Sequence, residues 1–126
     1  MATIELDKDN FEQIIRGNDT VVVDFWASWC GPCKAFAPTF ERASEKHANI
    51  VFAKVDTEAQ PELAGAFNIR SIPTLMIFRE QVILYSEAGA LPPAALDDIL
   101  QQVSTLDMQA VHKEIAARQD GTEGPA

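Results

Sequence analysis

A chain of 126 residues, 47% of them hydrophobic, is long enough for one domain with a real core and too short for two of ordinary size. Its formal net charge of -9 favours solubility and argues against nucleic acid and anionic membranes as partners. Two cysteines are too few for a disulfide-stapled secreted scaffold.

Residues 1–7 lack a basic region and an apolar run, so no signal peptide is expected. No stretch approaches transmembrane length, and the cytoplasm is the expected compartment. Residues 3–6 suit a short first strand. Asp9 or Asn10 can cap a helix with Phe11, Ile14 and Ile15 on one face, which Gly17-Asn18-Asp19 ends. Val21-Val22-Val23-Asp24-Phe25-Trp26 is a β-branched and aromatic run fit for a strand buried on both faces. A second helix starts at the cysteines and runs to about His47, with Pro38 inside it as an expected kink. Residues 50–56 form the next strand, and Pro61 leads into a short helix ending between Gly65 and Asn68. Residues 74–79 and 82–87 are close enough to pair as an antiparallel hairpin. Leu91-Pro92-Pro93 then introduces a helix with Leu96, Ile99, Leu100 and Val103 on one face.

The order β-α-β-α-β-α-β-β-α predicts an α/β domain with a mixed sheet covered on both faces. Residues 105–126 stand outside it. Asp107 can cap a short helix there, with Leu106 stapled to Val111 and a stripe of Met108, Val111 and Ile115. That stripe either rests on the domain's own surface or meets a partner. Residues 121–126 are expected to be disordered.

Chemistry concentrates in Cys30-Gly31-Pro32-Cys33, at the junction of a strand and a helix. Cysteines three apart face each other across one helical turn, and a C-x-x-C pair beside a βαβ pattern reads as a thiol–disulfide couple. Pro32 suits the first turn, where a missing N–H costs nothing. The helix N-terminus favours an anion, so Cys30 is the expected attacking thiolate and Cys33 the resolving thiol. Resolution needs a base. Asp24, alone in an apolar run, is the candidate: buried, its pKa rises toward that of a proton shuttle; otherwise it faces a turn or solvent. Lys54 is either its partner or a solvated head on a packed stem. The Ile72-Pro73 bond precedes a strand and can be cis or trans.

The segment Val23-Asp24-Phe25-Trp26-Ala27-Ser28-Trp29-Cys30-Gly31-Pro32-Cys33-Lys34 closely resembles the thioredoxin family. So do Ala37-Pro38, Lys54-Val55-Asp56, Ile69-Arg70-Ser71-Ile72-Pro73-Thr74 and Gly89-Ala90-Leu91, in the family's order and across residues 3–104. The resemblance implies a thioredoxin fold over 1–104, a central mixed sheet flanked by helices on both faces, with 105–126 as a C-terminal helical extension. It implies that Cys30 is the nucleophile, Cys33 the resolving cysteine and Asp24 the buried proton shuttle. Lys54 then lies near Asp24, while Gly31 and Pro32 tune the couple towards reduction. Pro73 is expected to be cis and to face the disulfide. Trp29, Ile72, Pro73 and Gly89 line the groove that takes the substrate chain, and Trp26 packs beneath.

The implied function is reduction of disulfides in client proteins, with recycling by a thioredoxin reductase. No Gly-rich dinucleotide motif occurs here, so NADPH and FAD belong to that reductase and no cofactor is bound. No metal is expected, since two cysteines with distant His47 and His112 are a poor zinc set. His47, at a helix end, is expected to serve the helix dipole. A monomer is expected. An oxidase or isomerase shares the chemistry, but Gly31-Pro32 argues against it. A pure binding module is argued against by the intact cysteines with Asp24. The chain departs from the family at Glu80-Gln81, where Asn-Gly is frequent, so that turn is expected to be longer or strained.

Overall fold

The computed structural model describes residues 3–119, so residues 121–126, expected to be disordered, lie outside the described part. Strand β1 (Thr3–Glu5) and helix α1 (Phe11–Gly17) lead into β2 (Thr20–Trp26) and α2 (Gly31–Lys46). Then come β3 (Val51–Asp56), α3 (Pro61–Ala66) and the pair β4 (Thr74–Arg79) and β5 (Val82–Ala88). Helices α4 (Pro93–Thr105) and α5 (Met108–Gln119) close the chain. Among the described residues, no helix is long and apolar enough to cross a membrane.

The sheet order is β1-β3-β2-β4-β5. β3 runs parallel to β1 and β2, while β4 is antiparallel to both β2 and β5. The sheet is therefore mixed, as the element order predicts, and β2 lies at its centre. Strand alternation sorts the core. Val22, Phe52, Leu75 and Ile77 face α2 and α4, meeting Phe36, Phe40, Leu96 and Leu100. Val21, Val23, Phe25, Ala53 and Val55 face the opposite side, against Phe11, Ile14, Leu63 and Phe67. Asp24, Lys54 and Trp26 share the parity of Val22 and Phe52, so they belong to the α2 side.

One local expectation, the cap of α1, is corrected. The side chains of Asp9 and Asn10 do not cap α1: Asn10 accepts instead from the Asp7 N–H (2.8 Å). Asp7 does the capping of that turn, its Oδ1 accepting from the N–H groups of Asp9 and Asn10. A short carboxylate bonding the backbone two and three residues on is the usual start of such a turn. Pro38 lies inside α2 without ending it. His47 follows α2 and places Nε2 at 2.9 Å from Asp97 of α4, beside Lys46 at 2.7 Å. Those two bonds, His47's first, hold the Asp97 carboxyl below its ordinary pKa and fasten the two helices.

The extension is a 12-residue helix, as expected of it. Asp107 caps it as expected, accepting from the N–H groups of Gln109 and Ala110. Met108 is buried, Val111 and Ile115 are half-buried, and Leu106 is 43% exposed. Arg79 pins the approach to α5: its Nη1 donates to the carbonyls of Val103 (2.8 Å), Ser104 (3.3 Å) and Leu106 (3.1 Å). The carbonyls of a helix's last turn lack intrahelical donors, and a guanidinium supplies them. His112 adds a contact of 2.8 Å to Glu80 in the β4–β5 turn. His112 thus ties α5 to the domain's own β4–β5 turn.

That turn has two residues, and both take the left-handed conformation, Glu80 at φ 50° and Gln81 at φ 70°. Asn-Gly adopts this turn without strain; Glu-Gln does not. The double variant Glu80→Asn, Gln81→Gly should gain about 1 kcal/mol in denaturant unfolding, because the exposed His112 contact it gives up is worth little. Arg79→Met, which keeps the stem but removes three donated bonds, should lose roughly 1–3 kcal/mol in the same measurement. Arg79→Lys should recover only part of that loss, since an ammonium cannot reproduce the fork.

Candidate active site

β2 carries the chain through the centre of the sheet and hands it over at Trp26 and Ala27. Cys30 N–H donates to the Ala27 carbonyl (3.2 Å), closing the turn that starts α2. Cys30 is the N-cap of α2, and its Sγ accepts from the Cys33 N–H at 3.2 Å. A sulfur here fills the place usually taken by a Ser or Asp oxygen, so one orphan donor of the first turn is aimed at the Cys30 sulfur. Pro32 occupies the first turn, as its missing N–H favours. The two cysteines are joined in a disulfide, their Cα atoms 5.2 Å apart. Both are buried, against Ala27, Trp26 and Ile72. Gly31 and Pro32 between them are exposed.

The second wall comes from a distant stretch. The Ile72–Pro73 peptide is cis, and the Ile72 carbonyl oxygen lies 3.7 Å from Cys30 Sγ. A disulfide sulfur has no proton to give, so this is a contact rather than a hydrogen bond in the oxidised state. Pro73 is buried and Ile72 half-buried. Gly89 N–H donates to the Pro73 carbonyl (2.8 Å), which ties the end of β5 to this loop. At φ +111° Gly89 adopts a conformation that a side chain disfavours, although space for a Cβ is open. Trp29, 66% exposed, directly precedes Cys30 in the turn. Trp29, Ile72, Pro73 and Gly89 are thus drawn from three separate parts of the chain to one end of the sheet. The hollow between α2 and α4, about 190 Å³ and lined by Thr39, Arg42, Lys46 and Asp97, lies towards the far end of α2.

Asp24 is 1% exposed, and neither carboxylate oxygen has a hydrogen-bond partner. It points to the side of the sheet that α2 covers. Burial pushes its pKa up from 3.8 to about 7; Lys54 opposes the rise and Glu5 adds to it. Lys54 is directly opposite Asp24 in the β2–β3 register. The expected partnership is looser than an ion pair, however. The Lys54 ammonium lies over the Trp26 ring, 4.6 Å from its centroid, an attraction between a cation and the negative face of an indole. The Trp26 indole N–H is also buried without a partner. Two features here escape a reading of the sequence. One is the Lys54–Trp26 stack, and the other is Glu5, opposite Lys54 on its other flank. Both depend on strand register, which no local signal in the sequence carries.

Comparison with known proteins agrees with this geometry. The sequence profile of the Thioredoxin family matches residues 2–102. A provisionally named thioredoxin 2 of Streptomyces coelicolor is 57% identical over 118 residues, 94% of this chain and 88% of that protein. A match of that length must run through most of α5, which the family profile does not reach. A thioredoxin of Alicyclobacillus acidocaldarius is 43% identical over 106 residues, 79% of this chain and all of that protein. The structure of Plasmodium falciparum thioredoxin superposes with a TM-score of 0.73 at 34% identity, covering 79% of this chain and 97% of that one. The chain therefore belongs to the thioredoxin family, dithiol–disulfide oxidoreductases that work through a C-x-x-C pair, here Cys30 and Cys33.

Proposed function

We propose that this chain is a general protein-disulfide reductase in which Cys30 attacks, Cys33 resolves and Asp24 takes the proton that resolution releases. The observation that carries the reading is the pairing of a sulfur-capped helix with an unpartnered carboxylate on the sheet face beneath it. The positive end of the α2 dipole and the Cys33 N–H both favour a negative charge on Cys30, and thioredoxins are themselves a known case of a C-x-x-C thiol acidified in this way.

In the proposed sequence the reduced Cys30 thiolate attacks one sulfur of a client disulfide. A Cys30–client bond forms as the client S–S bond breaks, and the other client sulfur leaves as a thiolate that picks up a proton. Asp24 then accepts the Cys33 proton, directly or through solvent. The Cys33 thiolate attacks Cys30 Sγ, the Cys30–client bond breaks, and the second client sulfur leaves. The client has gained two electrons and two protons, and Cys30–Cys33 is a disulfide again. A thioredoxin reductase that carries its own flavin and uses NADPH returns the two electrons. Disulfide-bearing clients dock on the surface of Trp29, Ile72, Pro73 and Gly89. Gly31, Pro32 and Lys54 set the poise of the couple. The chemistry needs a reducing compartment, the cytoplasm, and a monomer suffices. Residues 1–104 form the working domain in this reading, and 105–126 extend it.

Two experiments test the assignment. Cys33→Ser should accumulate clients as mixed disulfides on Cys30, seen on non-reducing gels, whereas Cys30→Ser should trap almost none. Equal trapping by both variants would exclude the division of labour. Asp24→Asn should slow resolution most near neutral pH in a coupled insulin-reduction assay with NADPH and reductase. Turnover unchanged between pH 6 and 8 would remove Asp24 as the base.

The same substitution has a stability signature. A native carboxyl raised from 3.8 to about 7 stays protonated where the unfolded chain has already lost its proton. The wild type therefore loses stability as pH rises from about 4 to about 7, and the loss is complete above. Asp24→Asn removes that dependence, so its stability relative to wild type should climb across this window by up to about 4 kcal/mol.

A further inference from the structure

Three side chains stand in a row across three adjacent parallel strands. Glu5 of β1 is opposite Lys54 of β3, and Lys54 is opposite Asp24 of β2. Opposed residues in neighbouring strands share a face, so all three lie on the side that α2 covers. Exposure falls along the row: Glu5 is exposed, Lys54 half-buried and Asp24 fully buried. The ammonium in the middle is paired to neither carboxylate, its described contact being the Trp26 ring. One cation is thus available to two acids, one in water at the sheet edge and one in the core.

We propose that Glu5 is a positioning residue for the resolution step, acting on Asp24 by competing for Lys54 and by its own negative charge. The inference rests on Asp24 serving as the proton acceptor, and it adds the residue that sets when Asp24 can accept. Lys54 left to Asp24 alone would hold that carboxylate ionised to lower pH. With Glu5 drawing on the same ammonium, Asp24 keeps its proton up to the neutral range, where a shuttle must both take and release it.

Among the described residues, Lys54 and Glu5 are the charged groups that act on Asp24, while Glu41 of α2, on the same face, is taken up by the Thr3 hydroxyl. On β4 the residue opposite Asp24 is Leu75. The buried residues of α4 are Leu96, Leu100 and Val103, none of which titrates. α2 contributes Cys33 as its buried titratable group, which is the proton donor of the proposed step. Asp56, two residues along β3, is occupied by the N–H groups of Glu58 and Ala59. Burial is the larger cause of the raised Asp24 pKa, and the contribution of Glu5 acts in the same sense.

The test is Glu5→Gln, with Glu5→Asp as the charge-preserving control. Glu5 contributes only its backbone carbonyl to a described hydrogen bond, from Asn10 Nδ2, so neither substitution removes a packing or side-chain contact that folding needs. Asp24 is titrated by carboxyl carbon NMR in the oxidised full chain. In parallel, the resolution rate is followed against pH with a small synthetic peptide disulfide. Across two strand spacings a unit charge is expected to move Asp24 by roughly half a pH unit. The expected result is that Glu5→Gln shifts both the titration and the rate profile to lower pH, with Glu5→Asp close to wild type, and that added salt shrinks the shift. An Asp24 titration that does not move in Glu5→Gln overturns the proposal and leaves the shuttle reading intact. A titration that moves while the rate profile stays fixed overturns the shuttle reading, and this proposal with it.

Discussion

A carboxylate buried without a hydrogen-bond partner is the costliest local feature of this molecule, and the rest of the architecture is what keeps it there. Asp24 is in the strand with neighbours on both sides and helices over both faces. It is shielded from bulk solvent, and Lys54, the cation opposite it in register, lies over an indole ring. Such a group relaxes by rotating to solvent or by gaining a partner unless its surroundings forbid both. Val21, Val22, Val23 and Phe25, all fully buried, anchor β2 on both faces and leave no alternative register. The hydrophobic energy of the sheet is thereby set against one unfavourable ionisation, and the result is a carboxyl whose pKa lies near neutrality, as the proposed proton acceptor requires.

The same strand fixes where the sulfurs go. β2 and β3 are parallel and end at the same edge of the sheet, and antiparallel β4 begins there. One edge therefore receives the start of α2, the loop holding Ile72 and Pro73, and the Gly89 end of β5. Backbone groups perform most of the assembly: Cys33 N–H to Cys30 Sγ, and Gly89 N–H to the Pro73 carbonyl. Main-chain groups on rigid elements hold geometry more closely than long side chains do. An exposed indole beside a nearly covered disulfide then presents a surface rather than a pocket, which suits an extended chain more than a small molecule.

Most of this was legible in the residues. The run from Val21 to Trp26, the C-x-x-C pair and the spacing of Leu96, Ile99, Leu100 and Val103 each carry a local signal for strand, chemistry and helix. The odd Asp24 in an apolar run pointed to the proposed proton site for the same reason that makes it costly. What was not legible depends on register or on side-chain competition. Asp9 and Asn10 satisfy the composition of a cap, yet Asp7 takes the two N–H groups, because the turn begins one step earlier than the helix. Lys54 alternates correctly, yet nothing local says that an indole two residues beyond Asp24 claims its ammonium. Glu5 looks like any solvated acid until β1 is laid beside β3. The Glu80-Gln81 turn was anticipated as longer or strained, and the structure keeps it short and strained, since Arg79 and Val82 pair directly on either side of it, past a register shift at Ile77 and Phe78.

Arg79 and Pro73 stand at opposite ends of β4. Five residue steps along an extended strand separate Thr74 from Arg79, roughly 17 Å. One end meets the disulfide; the other carries the fastening of α5. Sites this far apart with no shared partner combine independently in their effects on free energy. The domain is in that sense modular along a single strand. Sequence change around α5 can accumulate, alter solubility or attach the domain to something else without disturbing the redox couple, and the couple can be retuned without disturbing that attachment. A fold arranged in this way lets selection act on chemistry and on context separately.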